Sequence, residues 1–207
     1  MIKQFFYTIV RWGLNIIFLG MYRLHVEGRE HIPSEGAVII APNHKSYFDP
    51  PLVGVAIKKR VVHYMAKEEL FKNPLFGWIL KQFGTFPVKR GSVDRTAIRR
   101  AIKELKEGNA LGIFPEGTRI KKNGLGRFHS GMASLALMTG TPVIPVAVVG
   151  SADMPRKKGP LAVLIGSPIN VEKQKADNQA VETLNDIVKK EIQKLTDAYQ
   201  AKMKMHG

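Results

Sequence analysis

Ala37-Val38-Ile39-Ile40-Ala41-Pro42-Asn43-His44-Lys45-Ser46-Tyr47-Phe48-Asp49-Pro50-Pro51 passes from an apolar run through a polar turn to two prolines, with Leu52, Val53 and Val55 beyond. The apolar run reads as a short buried strand, and the prolines suit the first turn of a helix, where no backbone donor is needed. Between them the loop carries an imidazole, His44, five residues before a carboxylate, Asp49. His44 then stands at the C-terminal end of a strand, which is where open α/β sheets usually bind ligands. A second segment, Phe114-Pro115-Glu116-Gly117-Thr118-Arg119, also follows an apolar run, Ala110-Leu111-Gly112-Ile113, so two strand ends carry polar chemistry.

Outward from this unit, short apolar runs alternate with amphipathic stretches, the pattern of an α/β domain rather than a bundle. The runs predict strands at Leu24 to Glu27, Ala37 to Ala41, Val61 to Met65, Thr85 to Val88, Ala110 to Phe114, Val143 to Val149 and Leu161 to Ile165. Helices are expected at Pro51 to Ala56, Pro74 to Gln82, Val93 to Glu107 (ending at Gly108 as a cap) and Met132 to Thr139. From about 181 to 205 the spacing of Leu184, Ile187, Val188, Ile192, Leu195, Ala198 and Tyr199 describes one long surface helix, which packing on the sheet explains more simply than a partner. The expected fold is a single α/β domain, a mixed β-sheet flanked by helices, with a membrane-associated helical segment at its N-terminus.

At 207 residues the chain can bury an ample core as one domain. It has no cysteine, which excludes disulfides, thiolate metal sites and cysteine nucleophiles. Its 32 basic and 17 acidic residues leave a net charge of +15, which favours anionic partners: nucleic acid, acidic lipid or phosphorylated small molecules. A solubilising surface has the same charge. No RNP motif, zinc finger or dense basic tract with interleaved aromatics is present, so nucleic acid is the weakest of the three.

Residues 5 to 22 are long, apolar and aromatic, yet Arg11 falls near their middle, and a central arginine costs about 2.5 to 3.5 kcal/mol on insertion scales. A helix lying in one leaflet avoids much of that cost. Lys3, Arg11 and Arg23 then reach the phosphates while Phe5, Phe6, Trp12, Ile16, Ile17 and Phe18 enter the acyl region. The competing reading is a helix packed on the protein's own core. A secretory signal fits poorly, because Lys3 alone makes the basic region and no small-residue cleavage site follows.

Four blocks together resemble the glycerolipid acyltransferases, bacterial 1-acylglycerol-3-phosphate acyltransferases in particular. They are residues 43 to 50, Gly84-Thr85-Phe86-Pro87-Val88-Lys89-Arg90-Gly91, residues 114 to 119, and Val143-Ile144-Pro145-Val146-Ala147, in the family's order and within residues 25 to 150. A bare His-x4-Asp pair is weak by itself; its coincidence with an intact Phe-Pro-Glu-Gly-Thr-Arg is strong. The resemblance implies residues 1 to 24 as a membrane-associated segment and 25 to 207 as the acyltransferase domain, with its motifs at 43 to 149. It implies transfer of a fatty acyl group from acyl carrier protein or coenzyme A thioester to the sn-2 hydroxyl of lysophosphatidic acid, giving phosphatidic acid. The partners are then membrane phospholipid and lysophosphatidic acid, at the cytoplasmic face of the membrane, with no cofactor, no metal and no nucleic acid. Two rivals stay open: another lysophospholipid or amino-lipid as acceptor, and a non-catalytic peripheral lipid binder.

The chemistry fits the residues. An alcohol needs a base near neutral pH, and His44 suits, with Asp49 fixing its tautomer as in a Ser-His-Asp triad without the serine. Asp49 is also a candidate N-cap of the following helix. No G-x-S-x-G elbow exists, and Ser46, the one candidate covalent nucleophile, is also a common turn residue. Lys89, Arg90 and Arg119 read as an anion clamp, and Gly117 and Thr118 as donors of exposed backbone N–H groups. The family assigns the matching positions, Lys89, Arg90, Glu116, Gly117, Thr118 and Arg119, to the glycerol phosphate. Glu116 is out of place beside a phosphate and is expected to orient Arg119 or to bond a glycerol hydroxyl. The remaining histidines show no metal-ligand spacing.

Overall fold

A computed structural model describes residues 10, 12–58, 60–89, 94–156 and 160–205. Seven strands form one sheet: β1 (His25–Glu27), β2 (Val38–Pro42), β3 (Val62–Lys67), β4 (Phe86–Val88), β5 (Ala110–Gly112), β6 (Val143–Val149) and β7 (Ala162–Ile165). Their spatial order is β1-β7-β6-β2-β5-β3-β4. Every neighbouring pair is parallel except β6–β7, so the sheet is mixed as expected. All seven strands lie where the apolar runs put them: β6 coincides with its expected range and the other six shift by one or two residues at an end.

Among the described residues, α1 (Asp49–Ala56), α2 (Pro74–Gln82), α3 (Arg95–Lys106) and α4 (Ser130–Thr139) lie between strands, and α5 (Asn178–Met205) follows β7. Alternation along the strands divides the core in two. Val38, Ile40, Val146, Val148, Val163 and Ile165 face a cluster completed by Leu52, Val53 and Ala56 of α1 and by Phe18. Ile39, Ala41, Leu111, Ala147 and Leu164 face the other, built by α3, α4 and α5. The C-terminal helix packs on α4 and β6, burying Val181, Leu184, Val188 and Ile192 of the apolar stripe, while Ile187 stays exposed.

Residues 12–15 are helical and run into a π-helix, Ile16–Met21. Phe18 is 2% exposed and enters the α1-side core, while Trp12, Ile16, Ile17 and Met21 face outward. Leu14, Leu19 and Tyr22 pack partly against the same cluster, so the described part of the segment has one face on the protein's own core and one face exposed. No helix among the described residues is long and apolar enough to cross a membrane. The insertion expected of Lys3, Phe5, Phe6 and Arg11 falls outside the described residues.

Candidate active site

β2 ends at Pro42, and Asn43 fixes the chain as it leaves the sheet. Its side-chain amide donates to the Val148 carbonyl at 3.0 Å and its Oδ1 accepts the Val148 N–H at 2.7 Å. This buried pair replaces a ladder rung and locks the start of the loop to β6.

The next six residues wrap around one carboxylate oxygen. Asp49 Oδ2 accepts His44 Nδ1–H at 2.9 Å, the Lys45 N–H at 2.6 Å and the Ser46 N–H at 2.8 Å. Asp49 is fully buried, and the His44 side chain is 13% exposed. The helix's N-cap is Phe48 rather than Asp49, and no side chain caps it. The prolines explain the difference: Pro50 and Pro51 have no N–H to offer a capping carboxylate, so Asp49 turns back to the donors of the preceding loop. Ser46 Oγ accepts the Phe48 N–H at 3.3 Å, a turn contact.

An oxygen that already accepts two backbone N–H groups can only accept from the ring, so in the neutral imidazole Nδ1 carries the proton and Nε2 keeps its lone pair. The ring stacks on Phe114, centroids 4.1 Å apart at 29°, and Phe114 in turn stacks on Tyr64 at 5.9 Å. Asp49 Oδ1 is buried with no hydrogen-bond partner among the described residues.

The loop after β5 closes over this turn. Glu116, 1% exposed, accepts the His44 N–H through Oε2 at 2.6 Å and the Gly126 N–H through Oε1 at 2.7 Å. The Ile120 N–H donates to the His44 carbonyl at 2.8 Å, and Lys45 Nζ reaches the carbonyls of Lys122, at 2.7 Å, and Gly124. Glu116 therefore fastens the backbone of His44; of the two roles expected from sequence, orienting Arg119 or bonding a glycerol hydroxyl, the first is not seen among the described residues. Arg119 instead donates to the Tyr47 hydroxyl at 2.7 Å, with its guanidinium carbon 3.4 Å from that ring's centroid.

Gly117 corrects a second expectation. Its N–H donates to the Phe114 carbonyl at 3.0 Å and is spent on the turn. Glycine is needed because φ is +63° and a Cβ would lie 3.0 Å from the His129 ring. Thr118 and Arg119 are exposed beside it. Lys89 is exposed at the end of β4, the outermost strand, with β5 and β3 between it and β2, about 14 Å at ordinary strand spacing. Its N–H donates to Asp94 Oδ2 at 2.9 Å, while Asp94 Oδ1 caps α3 through Thr96 and Ala97. Those amides, Lys89 first, hold the Asp94 carboxyl below its ordinary value. Arg90 lies outside the described residues. No group of histidine and carboxylate residues among those described could hold a metal ion.

The fold thus brings together His44, Asp49, Glu116 and Arg119 and leaves Lys89 at the sheet's edge. Asn43, Tyr47, Phe114 and Gly126 join the site without having been singled out by sequence. Only Asn43, a polar residue directly after a buried strand, left a signal that could have been followed.

The Acyltransferase family model matches residues 23–149, which open just before β1, close with the last residue of β6 and hold every group described above. The 1-acyl-sn-glycerol-3-phosphate acyltransferase of Bacillus subtilis (strain 168) is 36% identical over 160 residues, covering 76% of this chain and 79% of that protein. The protein of the same name from Streptococcus pneumoniae (strain ATCC BAA-255 / R6) is 30% identical over 205 residues, 94% of this chain and 74% of its own length. The crystal structure of the 1-acyl-sn-glycerophosphate (LPA) acyltransferase PlsC from Thermotoga maritima superposes with a TM-score of 0.73 at 25% identity, covering 94% of this chain and 81% of that one. With the matched span enclosing the histidine–aspartate turn and the loop that holds it, the chain belongs to the acyltransferase family.

Proposed function

We propose that the protein acylates the sn-2 hydroxyl of 1-acylglycerol 3-phosphate from an acyl thioester carried by acyl carrier protein or coenzyme A. The observation that carries this reading is the His44 Nδ1–Asp49 Oδ2 contact, which leaves Nε2 as a base. The hydroxyl gives its proton to Nε2 as its oxygen bonds the thioester carbon; the carbon–sulfur bond then breaks and the thiolate leaves with that proton. No acyl-enzyme and no cofactor enter the scheme. The acceptor is supported by the relatives' names and by Arg119, an exposed guanidinium two residues from Gly117 that suits a phosphate. Both substrates are reached from an interfacial position on the cytoplasmic face of the membrane, with the apolar N-terminal segment in the leaflet.

The test is transfer of labelled acyl groups from coenzyme A or carrier protein to lysophosphatidic acid by the purified protein. His44→Ala should lose about 10² to 10⁴-fold in kcat with an unchanged circular dichroism spectrum. Asp49→Asn should be similarly severe, because its amide selects the wrong tautomer and cannot stabilise an imidazolium. A folded His44→Ala protein with wild-type kcat would discard the mechanism.

A further inference from the structure

A row of rings crosses the sheet and ends on His44. The imidazole stacks on Phe114, centroids 4.1 Å apart at 29°, and Phe114 on Tyr64 at 5.9 Å and 20°. His44 stands two residues beyond β2, Phe114 two residues beyond β5, and Tyr64 inside β3. Those three strands are consecutive in the sheet, and Tyr64 and Phe114 both belong to the core cluster on α1's side.

One position in the sequence makes room for the row. Tyr64 pairs with Gly112 across β3 and β5, and a Cβ on Gly112 would stand 2.2 Å from Tyr64 Cε1 and 2.4 Å from Cδ1. Glycine weakens the interior of a strand unless its missing side chain is needed, and a ring laid over the bare backbone is one such need. Gly112 is not among the glycines with positive φ, so the tyrosine ring rather than the backbone calls for glycine here. Tyr64 itself is 8% exposed, and its hydroxyl donates to the Pro50 carbonyl at 3.4 Å, next to Asp49. The ring stack and the carboxylate that holds His44 are therefore tied to the same turn of α1.

A single hydrogen bond from Nδ1 to Asp49 fixes that atom but not the plane of the ring. The imidazole can still rock about the line from Cβ to Nδ1, and rocking swings Nε2, on the ring's far side. An aromatic face 4.1 Å away blocks that motion on one side.

We propose that Phe114, buttressed by Tyr64 over Gly112, is a positioning residue that fixes the plane of the His44 imidazole and with it the direction of Nε2. The kinetic consequences rest on the acyl-transfer reading of His44. A displacement of a reacting group on the order of 1 Å costs about a hundredfold in rate. The π face of Phe114 also favours the imidazolium formed when Nε2 takes the hydroxyl proton. A leucine fills much of the same space but offers no flat face for either task.

Phe114→Leu should lower kcat about tenfold, with KM for lysophosphatidate held within about twofold and the circular dichroism spectrum unchanged. Phe114→Tyr, which returns a flat ring, should recover most of that loss. Gly112→Ala displaces Tyr64 without touching His44 and should also lower kcat; combined with Phe114→Leu it should cost less than the product of the single losses, because both act through one stack. Where Gly112→Ala fails to fold, the two Phe114 variants decide. A second readout needs no turnover. With isotope-labelled histidine, the His44 ring signal, assigned by its loss in His44→Gln, should pass from a sharp Nδ1–H resonance to a broadened one in Phe114→Leu. A folded Phe114→Leu or Gly112→Ala protein with wild-type kcat overturns the proposal. So does a loss confined to KM, which would make Phe114 a substrate contact, or a Phe114→Tyr protein as impaired as Phe114→Leu. A His44 signal that broadens as expected, in a protein whose wild type transfers no acyl group, upholds the stack and counts against the acyl-transfer reading alone.

Discussion

The carboxylate of Glu116 accepts the backbone N–H of His44 at 2.6 Å, and its second oxygen accepts that of Gly126 at 2.7 Å. One buried side chain thus joins the loop after β2 to the loop after β5 and sets where His44 stands. Glu116→Gln can keep one of these bonds but turns an amide N–H₂ towards a backbone donor, leaving a buried N–H unpaired at about 1–3 kcal/mol. The expected outcome is a lower Tm and a kcat reduced equally for lysophosphatidate and for a phosphate-free monoacylglycerol. Loss confined to the phosphorylated acceptor would restore Glu116 to substrate binding.

Arg119 makes the opposite prediction. Its only partner among the described residues is Tyr47, through the hydroxyl and the ring face, and both side chains are exposed. Arg119→Ala should cost little stability but lower kcat/KM for lysophosphatidate about ten- to a hundredfold, the worth of one charge-assisted contact, and spare the phosphate-free acceptor. Tyr47→Phe keeps the ring beneath the guanidinium and should have a smaller effect in the same direction. Equal losses on both acceptors would assign Arg119 to the donor or to structure.

His63 predicts a pH dependence away from the site. Its Nδ1 lies 2.9 Å from Glu104, which is 1% exposed and also contacts Arg100 and Asn109. Burial is the larger influence and holds the imidazole below its ordinary 6.5, with Glu104 opposing. In the window beneath 6.5 the unfolded chain binds a proton that the folded chain resists. Stability is therefore complete above pH 6.5 and declines as pH falls towards the lower folded value. Thermal unfolding between pH 7.5 and 5 should show that decline, and His63→Gln should reduce it; a rise in Tm over the same interval would contradict the assignment.

The described part of the N-terminal segment has a buried and an exposed face. Phe18 is 2% and Leu24 6% exposed, so deleting residues 1 to 24 removes core as well as the exposed apolar face, at a cost on the order of 5 kcal/mol. Phe18→Ala should lower Tm and leave vesicle binding nearly intact. Ile16→Ser/Ile17→Ser, on the exposed face, should weaken vesicle binding with little change in Tm. Identical effects of the two variants on both readouts would show that the segment does not divide this way.

The sequence by itself determined the strands, the mixed α/β class and the pairing of His44 with Asp49. Strands such as Val38–Pro42 and Val143–Val149 are buried on both faces and so appear as unbroken apolar runs, and His44 and Asp49 lie within one turn of chain. What lay far apart along the chain was decided by tertiary structure alone. Nothing local tells that the Glu116 carboxylate meets an N–H seventy-two residues upstream, that Asn43 pairs with Val148, or that Lys89 ends up at the sheet's edge. Hydrophobic periodicity records how each segment partitions from water. Which segments then become neighbours depends on the order and hand of the crossovers, a property of the whole chain.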